Sequence, residues 1–321
     1  MLPDADALPE ILLDLAVPHE DINDLVALRR TLTADAGALR LLAECVEDLV
    51  RDIGEAGVEV PLVERLAEAP AALGPYFSVY VFVAVLPYTR AYHRERGVPA
   101  DVSRRTLADL GRNMAFHRRQ HGTGGVQVPQ WLTHHFRGEL YQLGRLQFER
   151  ARLGQRTGRA IATAGVEGQA RADGAADVEG TAGGGVGPGE PCLNLHIPDF
   201  LGPLSPAACD RSLALAREFF ARHYPRERYR VAVCHSWLLD PQLKRYLDPD
   251  SNIVRFQQRF AAARDPGEEP EPADTEPVRF VFGDPDLPVA TLPRRTSVER
   301  AVGDHLRAGG HWYVGHGWFP L

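Results

Sequence analysis

An α+β fold is predicted for these 321 residues: a helical N-terminal part, then a mixed sheet flanked by helices. Three observations predict it. Apolar residues recur every three or four positions through roughly the first 120 residues. The spacing changes to alternation at GELYQLGRLQFERA (138–151). From residue 193 onward, short apolar strands take turns with well-marked helices. These changes divide the chain into a helical domain, 1–130, and a mixed domain, 131–321.

In the helical part, Leu39, Leu42, Val46, Leu49 and Ile53 fall on one face of a helix over 36–54. The segment 76–96 is apolar first and polar later, and Gly97 and Pro99 end it. Asp101 or Ser103 caps a further helix running to about Arg119. HGTGG (121–125) is a loop. Residues 138–151 read as one strand bent at Gly144. Tyr141, Arg145, Gln147 and Glu149 then share a face with Leu143, while Leu140, Leu146 and Phe148 take the other.

Residues 154–190 are rich in Gly, Ala and Thr without apolar periodicity and read as a disordered insertion, as does the acidic, proline-rich 264–277. Between them, LNLHIP (193–198) is a strand, DFLGPL (199–204) a loop, 205–225 a helix and YRVAVCHSWLL (229–239) a strand. Helices near 241–247 and 251–262, a strand VRFVF (278–282), a helix 296–310 ending at a Gly pair, and a strand 311–319 complete the chain.

Composition narrows the function. A net charge of −7 argues against a general nucleic-acid binder. The longest apolar stretch, 76–87, is too short to cross a bilayer of ~30 Å as a helix. The N-terminus lacks the basic region of a signal peptide, so a cytoplasmic protein is expected. Cys45, Cys192, Cys209 and Cys234 form no C-x-x-C pair, and no histidines are spaced as H-x-x-x-H or H-E-x-x-H, so no metal is expected. Eight arginines stand against three acids in 90–119, a solvated helix face or an attractor for acidic groups.

The segment 193–239 carries the chemistry. A strand that delivers a Gly-containing loop onto a helix start makes an anion site, because the first helical N–H groups lack partners. Ser205 is a good N-cap and Pro206 suits the first turn. Cys209, Leu213, Ala216 and Phe220 form the buried stripe of this helix. Asn194 and His196 face one side of their strand. Cys234 reads as a packed small hydrophobe, or as a thiol nucleophile or general acid beside His196. Glu149, Gln147 and Arg145 form a solvated face or line a cleft. In a cleft, Glu149 deprotonates an amine and Arg145, with Tyr141 and Gln147 beside it, holds a substrate carboxylate.

Several stretches resemble the bacterial two-domain acyltransferases, which join a helical acyltransferase domain to a GNAT-like C-terminal domain. They are WLTHHFRGELYQLGRLQFE (131–149), LNLHIP (193–198), CHSWLLDPQLKRYL (234–247), SNIVRFQQRF (251–260) and TSVERAVGDHLRAGG (296–310). The resemblance implies that acyl-coenzyme A lies between strands 193–198 and 229–239, with its pyrophosphate on loop 199–205. Ile197, Phe200, Leu201, Gly202, Leu204, Ser205 and Asn252 are then cofactor-binding. One departure stands out: the family's Gln/Arg-x-x-Gly-x-Gly/Ala phosphate motif is replaced by Asp199-Phe-Leu-Gly-Pro-Leu-Ser205, in which Pro203 and Pro206 each remove a donor.

The expected function is acyl-coenzyme A-dependent transfer to an amine or hydroxyl of a small-molecule or peptide acceptor. Glu149 or His196 takes the acceptor proton, and Cys234, Ser236 or Tyr246 protonates the leaving thiolate. Two alternatives stay open. One is a non-catalytic GNAT-like scaffold that binds a partner. The other is a Cys234–His196 thiol hydrolase.

Overall fold

The computed structural model describes residues 2–164, 186–263 and 270–321. The chain forms two compact units, Met1–Gln142 and Leu143–Leu321, so the division falls after Gln142 rather than near 130. The helix Pro129–Phe136 explains the shift, since it packs within the first unit against the helix Phe77–Glu95.

In the first unit, α1 (Leu8–Asp14), α2 (His19–Ala34), α3 (Ala36–Val50) and α4 (Leu62–Leu66) precede a long α5 (Phe77–Glu95). Every residue of α5 from Phe77 to Leu86 is buried, as expected for a helix that is apolar all round. Its neighbours include α3 and α8 (Pro129–Phe136). Asp35 caps α3 by accepting from the amides of Gly37 and Ala38. The single helix expected over 101–119 is two, α6 (Ala100–Leu107) and α7 (Asp109–His121). Pro99, not Asp101 or Ser103, stands at the N-cap of α6. Gly122, at φ +70°, ends α7. Two buried acids are satisfied in this unit. Asp21 is held by Arg118 and, at 2.6 Å, by Tyr76. Glu139 accepts from Arg137 at 2.8 Å and pairs with His134 at 2.9 Å. Among the described residues no helix is long and apolar enough to cross a membrane.

The six-stranded sheet runs in the order β1-β2-β3-β4-β6-β5. Its strands are β1 (Leu140–Leu143), β2 (Leu146–Arg152), β3 (Pro191–His196), β4 (Val231–Ser236), β5 (Ala261–Ala262) and β6 (Gly315–Pro320). The expected bend at Gly144 is a hairpin turn, with Gly144 at φ +69°. Helix α9 (Gln155–Ala164) packs on β6, and its Ile161 joins Cys192, Val231, Val233 and Trp318 in one apolar cluster. Helix α10 (Pro206–His223) packs on β2.

Three expectations need correction. Residues 155–164, taken as disordered, form α9, because Thr157, Gly158 and Ile161 bury one face. The rest of that insertion, 165–185, lies outside the described residues, as does 264–269 of the second. Residues 278–282 are not a strand: they belong to α12 (Thr275–Phe282), which packs on α13 (Ser297–Arg307). Pro277 suits a first helical turn, and Gly283 at φ +85° is a left-handed helix stop, which outweighs the short apolar run. Finally, the helix expected over 251–262 stops at Gln257 as α11 (Asn252–Gln257), and Ala261 and Ala262 pair with β6.

Candidate active site

The sheet opens between β3 and β4. On its outer side, β3 pairs with β2 along its whole length, from Arg152↔Pro191 to Gln147↔His196. On the other side, β4 stays paired with β6 from Val231↔Pro320 to Ser236↔Gly315. Between themselves, β3 and β4 run parallel and pair only at Leu193↔Ala232 and Asn194↔Val233. Beyond those pairs each strand keeps its outer partner and loses the other. The gap lies at the carboxyl ends of two parallel strands, where the crevice of an open sheet takes its ligand.

A line of polar side chains occupies one face at this gap. Glu149 lies opposite Asn194 in the β2–β3 register, and Gln147 opposite His196. Glu149 Oε2 accepts from Asn194 Nδ2 at 3.0 Å and hydrogen-bonds His196 Nε2 at 2.7 Å. Both members of the pair keep a solvent-facing edge, with 14% of the Glu149 side chain and 23% of His196 exposed. Asn194 Oδ1 is buried without a hydrogen-bond partner among the described residues. On β4 the same face carries His235, whose Nδ1 lies 2.6 Å from Nδ1 of its register partner His316. Crowding lowers the His235 pKa to about 4, through desolvation first and then through His316 and His196. Yet the ring is exposed.

The loop after β3 carries the other half of the site. It is solvent-exposed at Asp199, Phe200, Gly202 and Pro203, and only Leu204 is buried. Gly202 has φ +74° and open space where a side chain would stand. The amides of Leu201, Gly202, Leu204 and Ser205 donate to no acceptor among the described residues. Ser205 caps α10 by accepting from the amide of Ala208. Arg145 braces the loop: its Nε donates to Gly202 O at 2.9 Å, and its backbone N–H to Ser212 Oγ on α10 at 2.7 Å. One guanidinium nitrogen of Arg145 is buried and has no partner among the described residues, and desolvation lowers the Arg145 pKa. Arg259 flanks the first turn of α10 by donating to Pro206 O at 3.2 Å and pairing with Asp210 at 2.6 Å, and its Nε is buried without a partner among the described residues. The loop thus has bare amides, a helix start and the Arg145 guanidinium beside it, a donor set that suits an anion such as a diphosphate.

The sequence-derived candidates fall into distinct places. Glu149, His196 and Gln147 share the face at the gap. The hairpin turn removes Arg145 to the loop, while Tyr141 is fully buried beside the His93 ring, with centroids 5.4 Å apart. Cys234 is buried, and desolvation pushes its thiol up to about 12. Ser236 accepts from the amide of Leu238 at 3.1 Å. Tyr246 pairs with His305 Nδ1 at 2.9 Å. Ile197 is half-buried at the end of β3, and Asn252 is exposed at the start of α11. Sequence reasoning left Asn194, Arg259 and His316 without roles. The alternation of LNLHIP, which sets Asn194 beside His196, was the available signal for the first; the other two depend on long-range pairing.

A mixed sheet parted at its central parallel strands, with a loop and helix start beside the gap, defines a GNAT-like acyltransferase. The chain belongs to that family: residues 6–138 match the N-acyltransferase N-terminal domain and 140–319 the GNAT-like C-terminal domain. No curated protein matches it. Among solved structures, an acyltransferase in complex with decanoyl-CoA is 36% identical with a TM-score of 0.81, covering 100% of this chain and 89% of that one. An acyltransferase mutant in complex with octanoyl-CoA is 37% identical, with a TM-score of 0.80 and coverage of 100% and 90%. An acyltransferase in complex with decanoyl-CoA and teicoplanin is 37% identical, with a TM-score of 0.79 and the same coverage.

Proposed function

We propose that this acyltransferase moves a medium-length acyl group from coenzyme A to an amine of a glycopeptide-like acceptor. The observation that carries the reading is the Glu149–His196 hydrogen bond at the mouth of the parted strands. Bound acyl-coenzyme A supplies an activated acyl group as a thioester. Loop 199–205 and Arg145 hold its diphosphate, with Arg259 adding charge at the start of α10. The parted edges of β3 and β4 take the pantetheine arm. Relatives with the same architecture bind octanoyl- and decanoyl-CoA, which supports the donor class, and one binds teicoplanin, which supports the acceptor class.

Within the site, Glu149 orients His196 through its hydrogen bond to Nε2. His196 then takes the proton of the acceptor amine. Asn194, anchored to the same carboxylate, helps to hold Glu149 in place. Cys234 takes no part, because a buried thiol with a raised pKa supplies no thiolate. Cytoplasmic residence belongs to this reading, since coenzyme A thioesters are made inside the cell.

The test is incubation with decanoyl-CoA and teicoplanin, followed by intact mass spectrometry. Addition of one decanoyl group and release of free thiol are expected. A thermal shift with decanoyl-CoA accompanies them, since ligand at 100 times its Kd adds about 2.7 kcal/mol. Absence of both binding and transfer returns the chain to the scaffold alternative.

A further inference from the structure

The diphosphate site proposed above lies on a loop with few bonds of its own, and the inference here rests on that reading. The amides of Leu201, Gly202, Leu204 and Ser205 donate to no acceptor among the described residues. Amides left open for an anion deprive the loop of the internal bonds that fix most turns. Its carbonyl at Gly202 is held instead by Arg145, whose Nε donates to it at 2.9 Å. Whatever holds Arg145 therefore sets where the loop and its cation stand.

The holder is on α10. Arg145 follows Gly144 in the turn ahead of β2, and its backbone N–H donates to Ser212 Oγ at 2.7 Å. Ser212 donates in turn to Ala208 O, one helical turn back, at 3.0 Å. Its side chain is completely buried. A serine that bonds the carbonyl four residues back adds little to a helix, and a buried hydroxyl is costly unless it is matched. Here the hydrogen goes to Ala208 and the oxygen meets the Arg145 amide, so both halves of the hydroxyl are used. The turn sits close on the helix: a Cβ on Gly144 would stand 2.7 Å from Ser212 Oγ, and Gly144 is at φ +69°. Glycine at 144 and serine at 212 are the two sides of one seat. Ala208 also donates its amide to the capping Ser205, so the seat is tied directly to the helix start beside the loop.

We propose that Ser212 is a positioning residue for coenzyme A: it seats the Gly144–Arg145 turn on α10, so that the guanidinium reaches loop 199–205 and the diphosphate there. Ser212 does not touch the cofactor, being shut off from solvent with its hydroxyl occupied on both sides. It acts through Arg145. With the turn unseated, a long cationic side chain has no fixed point from which to span to Gly202 O, and ordering it on each binding event costs affinity. The chemistry is left alone, because Glu149 and His196 are held by the β2–β3 ladder, which starts at Gln147 and excludes the turn.

Calorimetric titration of the full chain with coenzyme A tests this. Ser212→Ala removes one neutral hydrogen bond to Arg145, and Kd is expected to rise about two- to tenfold. At saturating decanoyl-CoA kcat is expected to match the wild-type value, so the loss falls on KM. The Arg145→Ala background separates positioning from a general loosening of the helix. That variant keeps the amide that Ser212 holds but has no cation to place, so adding Ser212→Ala is expected to change Kd no further. Gly144→Ala attacks the seat from the turn side with Ser212 intact, and it is expected to weaken coenzyme A binding at least as much. Melting curves establish which variants are folded, and one folded variant suffices to decide. Wild-type affinity in folded Ser212→Ala or Gly144→Ala overturns the proposal, as does an equal further loss when Ser212→Ala is added to Arg145→Ala. Wild-type affinity in Arg145→Ala itself removes the diphosphate from this loop and takes the underlying reading with it. Failure of the Ser212 and Gly144 variants alone leaves that reading standing.

Discussion

Glu149 on β2 and His196 on β3 are joined by a 2.7 Å hydrogen bond at the level where β3 and β4 cease to pair. A carboxylate fixes the imidazole there, and the ring keeps an edge to solvent. His196→Ala is expected to lower kcat by about 10²–10⁴, the range of a lost general base. Glu149→Gln leaves a hydrogen-bonding group with the wrong polarity, and its loss is expected to be of similar size. Calorimetric titration should return the wild-type Kd for acyl-coenzyme A in both variants. Full turnover by the double variant would remove the pair from the mechanism.

Arg145 is half-buried with one guanidinium nitrogen unpartnered among the described residues, and its Nε donates to Gly202 O at 2.9 Å. A cation so placed gains most when an anion arrives. Arg145→Ala removes a charge-assisted hydrogen bond of about 1.5–3 kcal/mol. The Kd of coenzyme A is therefore expected to rise by roughly ten- to a hundredfold. Dephospho-coenzyme A, which keeps the diphosphate, should show the same loss. Equal binding by variant and wild type would place the diphosphate elsewhere.

Much of the site was legible in the sequence because it is local. The strand, the Gly202 turn and the Ser205–Pro206 helix start all lie between residues 193 and 206, and each has its own chemistry. The alternation of LNLHIP set Asn194 and His196 on one face, as the structure shows. The illegible parts are long-range. Nothing near Arg145 in sequence tells that a hairpin turn sends it to a loop 57 residues away. His235 and His316 meet only because β6 returns beside β4 across 81 residues. Residues 278–282 misled because five apolar-rich residues fit both periods, and the decisive marks, Pro277 and Gly283, lie just outside the run.

Cys234 separates acyl transfer from thiol hydrolysis. Its thiol is buried and held up to about 12 by desolvation, so it stays protonated across the working range. Cys234→Ala is expected to retain turnover and to lose about 1 kcal/mol of stability from lost packing. Iodoacetamide at pH 8 should leave Cys234 unmodified in the native protein, as read by peptide mass spectrometry. A burst of product with an activated ester, abolished by Cys234→Ala, would establish the hydrolase instead.

Two glycines distinguish conformational need from space. Gly202 has φ +74° with nothing near its missing side chain, so Gly202→Ala meets only the left-handed penalty of about 1–2 kcal/mol. Gly111 in α7 has a helical φ, but an added Cβ would stand 1.9 Å from Ala16 O, and its amide donates to Leu15 O at 3.1 Å. Gly111→Ala must push backbone apart, and a loss of at least about 3 kcal/mol is expected. Urea denaturation of the two variants should rank Gly111→Ala well below Gly202→Ala.

The helical unit contains its own acid sensor. His93 is buried on α5, with Nδ1 2.7 Å from Ser103 Oγ and Nε2 without a partner among the described residues. Desolvation lowers its pKa from 6.5 to about 4. An unfolded chain therefore takes up a proton near pH 6.5 that the folded chain refuses until about pH 4. Between these values acid favours unfolding, and stability falls as pH falls. The full interval is worth about 3 kcal/mol, and it is present intact above pH 6.5. His93→Gln removes the titrating group while keeping a partner for Ser103. Its melting temperature should decline less than that of the wild-type protein between pH 6.5 and 4. Parallel pH dependence in the two proteins would show that His93 is hydrated in the native state.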